Sequence, residues 1–121
     1  MTTLAPEEIL VSVRIPNTWA DAEFYFEKVA DRNVWDFALV SIATAMKIEG
    51  GVIRDARMVC GSVACVPHRL TAVENRVSGM PKNDATGDAV AALASLGAEP
   101  LAQNAFKMPM MENLVRRALR A

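Results

Sequence analysis

The sequence predicts an α+β fold: a two-layer sandwich in which an antiparallel sheet of three to four strands carries three C-terminal helices on one face. Three observations lead there. Apolar residues alternate through the first half of the chain, as strands require. From Pro67 onward the apolar spacing lengthens to that of helices. Between two long alternating runs sits Glu49-Gly50-Gly51, a tight hairpin signal. Strands first and helices after argue for segregated layers, because helical stripes then need a sheet face to bury against.

Each element follows from its own pattern. Ile9, Val11, Val13 and Ile15 alternate and Pro16 stops the run, which predicts a first strand. Its other face carries Leu10, Ser12 and Arg14, with Leu10 an apolar side chain where a polar one is expected. Pro16 to Asp21 reads as a turn. Glu23 to Val29 alternates again, with Phe24, Phe26 and Lys28 on one face and Glu23, Tyr25, Glu27 and Val29 on the other; the aromatics favour a strand. Phe37–Ile48 has the alanine content of a helix, yet the Gly-Gly turn and the run from Val52 to Val66 make it one arm of a hairpin. On that second arm Met58 and Cys60 share one face and Val59 the other, while Gly61, Ser62 and Ala64 mark a bulge or a close approach.

The helices follow. Thr71-Ala72-Val73-Glu74 matches a capping box; Leu70, Val73 and Val77 have helical spacing, and Gly79 with Pro81 ends the element. A second helix is expected to start near Thr86 or Asp88, with a Val90, Leu93, Leu96 stripe and a stop at Gly97 and Pro100. A third begins near Pro109, buries Met111, Leu114, Val115, Ala118 and Leu119, and places Arg116, Arg117 and Arg120 in its last turns, where cations suit the helix dipole.

Composition narrows the function classes. A chain of 121 residues with 52% hydrophobic content suits a single domain over residues 1–121 with a real core. With 13 basic and 14 acidic residues and a net charge of −1, it lacks the cationic excess of a nucleic-acid or anionic-membrane surface. The start has neither a basic n-region nor an apolar h-region, and apolar runs break well short of the roughly 20 residues that span a bilayer, so a cytoplasmic location is expected.

The residues that could carry chemistry form incomplete sets. Cys60, Cys65 and His68 are one ligand short of a structural zinc site, and an odd separation on a strand points the two thiols to opposite faces. A Cys65–His68 nucleophile pair would have no orienting group or oxyanion hole. The six glycines form neither a GxGxxG nor a Walker-type run, and the Met108–Met111 cluster reads as core filler. No catalytic and no metal-ligating residue is assigned. One segment stands out: Lys28 to Val40 packs charge, Trp35 and Asn33 into the junction between two strands.

That junction carries a resemblance. Phe26-Glu27-Lys28-Val29-Ala30-Asp31-Arg32 followed by Asp36-Phe37-Ala38-Leu39-Val40-Ser41-Ile42-Ala43 resembles the C-terminal domain of the FAD-binding (medium) subunit of molybdenum hydroxylases, the family of xanthine dehydrogenases, bacterial carbon monoxide dehydrogenases and aldehyde oxidoreductases. Glu8 to Pro16 is similar to that family's opening strand, Asp55 to Ala64 to its strand with a Gly-x-Val-Ala ending, and Pro100-Leu101, Phe106-Lys107 and Leu114 to Leu119 to its closing helix. Ala64 to Arg69 departs from it, with Cys65 and His68 where relatives often have Ala or Pro and Trp. The resemblance implies a sheet with three helices and a role in electron transfer: the full subunit carries FAD between iron–sulfur clusters and the final acceptor, while a separate molybdopterin subunit hydroxylates the substrate. It implies that most of the FAD grip belongs to Gly-rich loops of an N-terminal portion, which this sequence does not contain. By position, Leu10 matches an apolar contact to the flavin ring and Lys28 a basic residue beside it, where a cation stabilises negative charge on the reduced ring.

Two functions are therefore expected to compete. In the first, the chain completes a flavin site held by an N-terminal FAD-binding portion, within an assembly that includes molybdopterin and iron–sulfur subunits, and is colourless and inactive alone. In the second, it is a stand-alone oligomerising interaction domain without a redox role; some self-association, including a homodimer, is compatible with both.

Overall fold

The structure, a computed structural model, describes residues 3–120. Four strands, β1 (Glu23–Val29), β2 (Val40–Glu49), β3 (Val52–Gly61) and β4 (His68–Arg69), pair antiparallel in the order β1-β2-β3-β4. Three helices follow: α1 (Thr71–Val77), α2 (Asp84–Val90) and α3 (Lys107–Arg120), with short 3-10 turns at Asn17–Trp19 and Ala91–Ser95. The α+β architecture read from the sequence is the one observed, with α1 packed on β3 and α3 on β2. No helix among the described residues is long and apolar enough to cross a membrane.

The alternation of β2 and β3 decides which sheet face is buried. Val40, Ile42, Thr44 and Met46 of β2 and Ile53, Ala56, Met58 and Cys60 of β3 lie under the helices. They meet Val73 and Val77 of α1, Val90 of α2 and all five residues expected to form the inner stripe of α3. The opposite face carries Ser41, Ala43, Ala45, Arg57, Val59 and Gly61, and no helix among the described residues packs on it. Gly50 and Gly51 take φ of 58° and 78°, both in the left-handed region that a tight two-residue hairpin turn demands.

The structure corrects several expectations. Residues Ile9–Ile15 form no strand: they have no partner among the described residues, and Ile9, Val11, Val13 and Ile15 are 75–91% exposed. Alternation makes a segment fit for a sheet, but a strand exists only beside another strand. The hairpin arms are also shorter than expected. β2 starts at Val40 rather than Phe37, and β3 stops at Gly61 because Ser62 turns to φ 65°. The bulge falls at Lys47/Ile48, and at Gly61 the other alternative holds, a close approach, since a Cβ there would come within 2.5 Å of the Ser41 Oγ.

Among the helices, α2 starts at Asp84, capped by Asn83, whose side chain accepts from the Thr86 N–H at 2.9 Å. Its expected stripe fails beyond Val90 because the chain tightens into a 3-10 turn; Ala91 and Ala94 are buried there while Leu96 is exposed. The capping box at Thr71 is absent, since the cap position is Leu70 and no side chain bonds there. Glu74 instead reaches back to the sheet, where its carboxylate accepts from the Met58 N–H at 2.8 Å and pairs with Arg69 at 2.7 Å. A buried acid so placed ties α1, β3 and β4 together.

Candidate functional site around Lys28

Lys28 lies at the C-terminal end of β1, on the face turned away from the helices. Its neighbours along the strand alternate as the pleat requires: Tyr25 and Val29 pack toward the core, whereas Phe24, Phe26 and Lys28 are exposed. Across the sheet Phe24 stands beside Ala45, Phe26 beside Ala43 and Lys28 beside Ser41, so small residues leave the aromatic rings uncovered. Both Phe24 and Phe26 are 69% exposed. Ser41 in turn faces Gly61, where any Cβ would come within 2.5 Å of the serine Oγ.

The loop after β1 is shaped around the same lysine. Lys28 Nζ donates to the Asp36 carbonyl at 3.0 Å, and the Asp36 carboxylate accepts from the Arg32 N–H at 2.9 Å. The Leu39 N–H closes the loop onto the Val29 carbonyl at 2.7 Å. The loop thereby holds Trp35 at φ 55°, an unfavourable conformation for a bulky residue, and leaves it 97% exposed, with Phe37 at 94%. An exposed cation thus sits between two exposed aromatic pairs, one on a strand and one on a tied loop.

The other residue singled out in the sequence, Leu10, lies in the segment without strand partners and is 66% exposed. It belongs to no buried cluster. That segment reaches the sheet through Trp19, half-buried in the first 3-10 turn, whose ring lies under Arg57 at 4.9 Å and Lys47 at 5.4 Å. Both cations come from the helix-free face, so the chain before β1 is anchored on the same side as Phe26 and Lys28. Nothing in the sequence marked Trp19 for this contact, because the ring and its cations are separated along the chain and meet only when the hairpin folds.

The remaining polar clusters lie elsewhere. Between β1 and α3 a cleft of about 380 Å³ is lined by Val29, Leu114, Arg116, Arg117 and Arg120 among others. Each arginine there is matched by a carboxylate: Arg116 by Asp88, Arg117 by Glu27 and Arg120 by Asp84. Tyr25 also donates to Glu27, and burial followed by that hydrogen bond pushes its phenol above the usual value. The two cysteines part company. Cys60 is buried on β3, where desolvation pushes its thiol up to about 11, and Cys65 is exposed in the loop beyond.

These residues fit a contact to one edge of a flavin, supplying a cation and exposed apolar groups, and do not fit a grip on a whole dinucleotide, which needs backbone amides presented by a Gly-rich loop. The family described as the CO dehydrogenase flavoprotein C-terminal domain matches residues 25–121. The aldehyde oxidoreductase FAD-binding subunit PaoB of Escherichia coli (strain K12) is 33% identical over 107 residues, which cover 88% of this chain and 30% of that protein. The glyceraldehyde dehydrogenase medium chain of Sulfolobus acidocaldarius is 39% identical over 59 residues, 49% of this chain and 21% of its own. Among solved structures, carbon monoxide dehydrogenase from Hydrogenophaga pseudoflava, in a form lacking the Mo-pyranopterin moiety of the molybdenum cofactor, superposes with a TM-score of 0.83 and 26% identity, over 100% of this chain and 45% of that one. This chain therefore spans less than a third of the curated relatives and under half of the solved one. Its own fold and sequence place it in the CO dehydrogenase flavoprotein C-terminal domain family.

Proposed function

We propose that this chain, acting as one unit over residues 1–121, supplies the C-terminal side of a flavin site to the FAD-binding subunit of a molybdenum hydroxylase. The observation that carries the reading is Lys28: an exposed ammonium at the open end of β1, steadied by the Asp36 carbonyl, in a domain whose relatives include a FAD-binding subunit. FAD, when bound, supplies the two-electron chemistry that links iron–sulfur clusters to a final acceptor. The chain's own contribution is electrostatic and steric. The Lys28 ammonium sets a positive charge where the reduced ring becomes anionic, and Leu10 offers an apolar surface that keeps water from the ring. The FAD-binding portion, a molybdopterin subunit and an iron–sulfur subunit are the partners of this reading, and the cytoplasm its compartment.

The test is to mix the purified chain with the FAD-loaded N-terminal portion of the same enzyme and record the flavin spectrum and reduction potential. Addition of the wild-type chain perturbs the spectrum and raises the potential. Lys28→Met lowers the potential of the complex by about 30 mV if the charge contributes about 1.4 kcal/mol to the reduced state. A flavin that responds to neither addition nor substitution overturns the reading.

A further inference from the structure

Helix α3 lies mainly over β2 and touches the edge strand β1 only lightly, so a cleft of about 380 Å³ stays open between α3 and β1. That volume falls within the range of small-molecule sites, about 300 to 1,000 Å³. Helical spacing builds one wall. Met110, Asn113, Arg117 and Arg120 recur every three or four residues along α3, with Leu114 buried beneath them and Arg116 at the flank. Val29, which packs toward the core side of β1, completes an apolar floor with Met110 and Leu114. The pleat sends Lys28 to the other face of the same strand, so the cleft is separate from the flavin contact.

The polar side chains of that wall have only donors to offer. The Asn113 carbonyl oxygen accepts from Arg116 Nη1 at 2.9 Å, which leaves its amide NH2 for the cleft. The three guanidiniums pair with Asp88, Glu27 and Asp84, but none of those carboxylates lines the cleft. Each carboxylate engages a single guanidinium nitrogen, Nε or Nη1, and among the described residues Nη2 of all three arginines has no partner. Asp84 and Asp88 keep most of their side chains in water, and exposed pairs of that kind are too weak to bar a second anion from the same arginines. A guanidinium with donors to spare suits a carboxylate, which it can meet through two parallel N–H bonds. We infer that this cleft binds a small amphiphilic organic anion, with its carboxylate on Arg117 and Arg120, the more exposed two, and its apolar body over Val29, Met110 and Leu114. A cation would meet three like charges there, and a bare inorganic anion would leave the apolar floor unused. Neither Lys28 nor Leu10 lines the cleft, so the inference stands or falls apart from the flavin reading.

The experiment is an amide NMR titration of the isotope-labelled 121-residue chain with octanoate, using acetate as the anion-only probe and 1-octanol as the apolar-only probe. Octanoate is expected to give saturable shifts at Val29 and along residues 110–120, at concentrations about tenfold or more below those that acetate or octanol needs. Asn113→Asp keeps an oxygen for Arg116, exchanges the NH2 donor for a negative charge and alters an exposed position, so the fold stands while octanoate affinity is expected to fall about tenfold or more. Arg117→Gln with Arg120→Gln is a second, independent variant, expected to bring octanoate down to the level of octanol. Amide spectra away from the cleft check that each variant is folded. No saturable shift with octanoate, octanol binding as tightly as octanoate, affinity untouched by either variant, or shifts confined to the sheet face of Phe24 and Phe26 overturns the inference and leaves the proposed function standing. Acetate binding as tightly as octanoate also overturns it, because the apolar floor then contributes nothing.

Discussion

Replacing Glu74 with alanine tests a buried carboxylate that joins the two layers. The side chain is 5% exposed, and its oxygens accept from the Met58 N–H at 2.8 Å and from Arg69 at 2.7 to 3.1 Å. In the alanine variant Arg69, which is half exposed, turns its guanidinium to water and is assigned no loss. Met58 is fully buried, so its N–H has nowhere to turn. An unpaired buried donor costs about 2 kcal/mol. At this chain length that lowers Tm by about 8 °C. Glu74→Gln keeps a carbonyl oxygen for the Met58 N–H and is expected to lose about half as much. Thermal and urea melts followed by circular dichroism measure both. The reasoning is refuted if Glu74→Ala stays within about 0.5 kcal/mol of wild type, or if the glutamine variant is as damaging as the alanine one.

The other expectations are narrower. Gly87→Ala brings a methyl within 3.3 Å of the Arg116 backbone where α2 crosses α3, and backbone cannot swing aside, so a destabilisation of about 1–3 kcal/mol is expected in urea melts. A thiol reagent at neutral pH reacts with Cys65 alone in the native chain and with both cysteines in denaturant. Because burial raises the Cys60 thiol from 9.0 to about 11, the stability it contributes is complete below pH 9 and lost as pH rises toward 11. Melts across that window fall less steeply for Cys60→Val; an identical slope counts against a buried, protonated thiol.

Periodicity located β1, the hairpin of β2 and β3, and the inner stripe of α3, with the aromatics deciding β1 and the Gly50-Gly51 turn deciding the hairpin, because each element buries one face and a buried face imposes its period on the residues. The same rule misread residues 9–15, since a pattern records which face a strand would bury and is silent on whether a neighbour exists to pair with it. Glu74 shows a second limit. Its spacing from Thr71 satisfied a local capping rule, but the acid found a better partner in a strand N–H that is remote along the chain, and local rules cannot compare the two. Lys28 was singled out only through the resemblance of its surrounding residues, whereas the aromatic groups around it were visible in sequence only as strand formers.

The sequence by itself determined the two-layer class, the hairpin at Gly50-Gly51, the helical stripes and the lack of a phosphate-gripping loop, all of which depend on residues near one another along the chain. Only the tertiary structure decided which sheet face the helices leave bare, and that Trp19, Phe24, Phe26 and Lys28 belong to it. That outcome depends on which side of the hairpin α1 and α3 cover, and the side follows from burying Ile42, Met58 and Leu114 together, a choice made by the folded core as a whole.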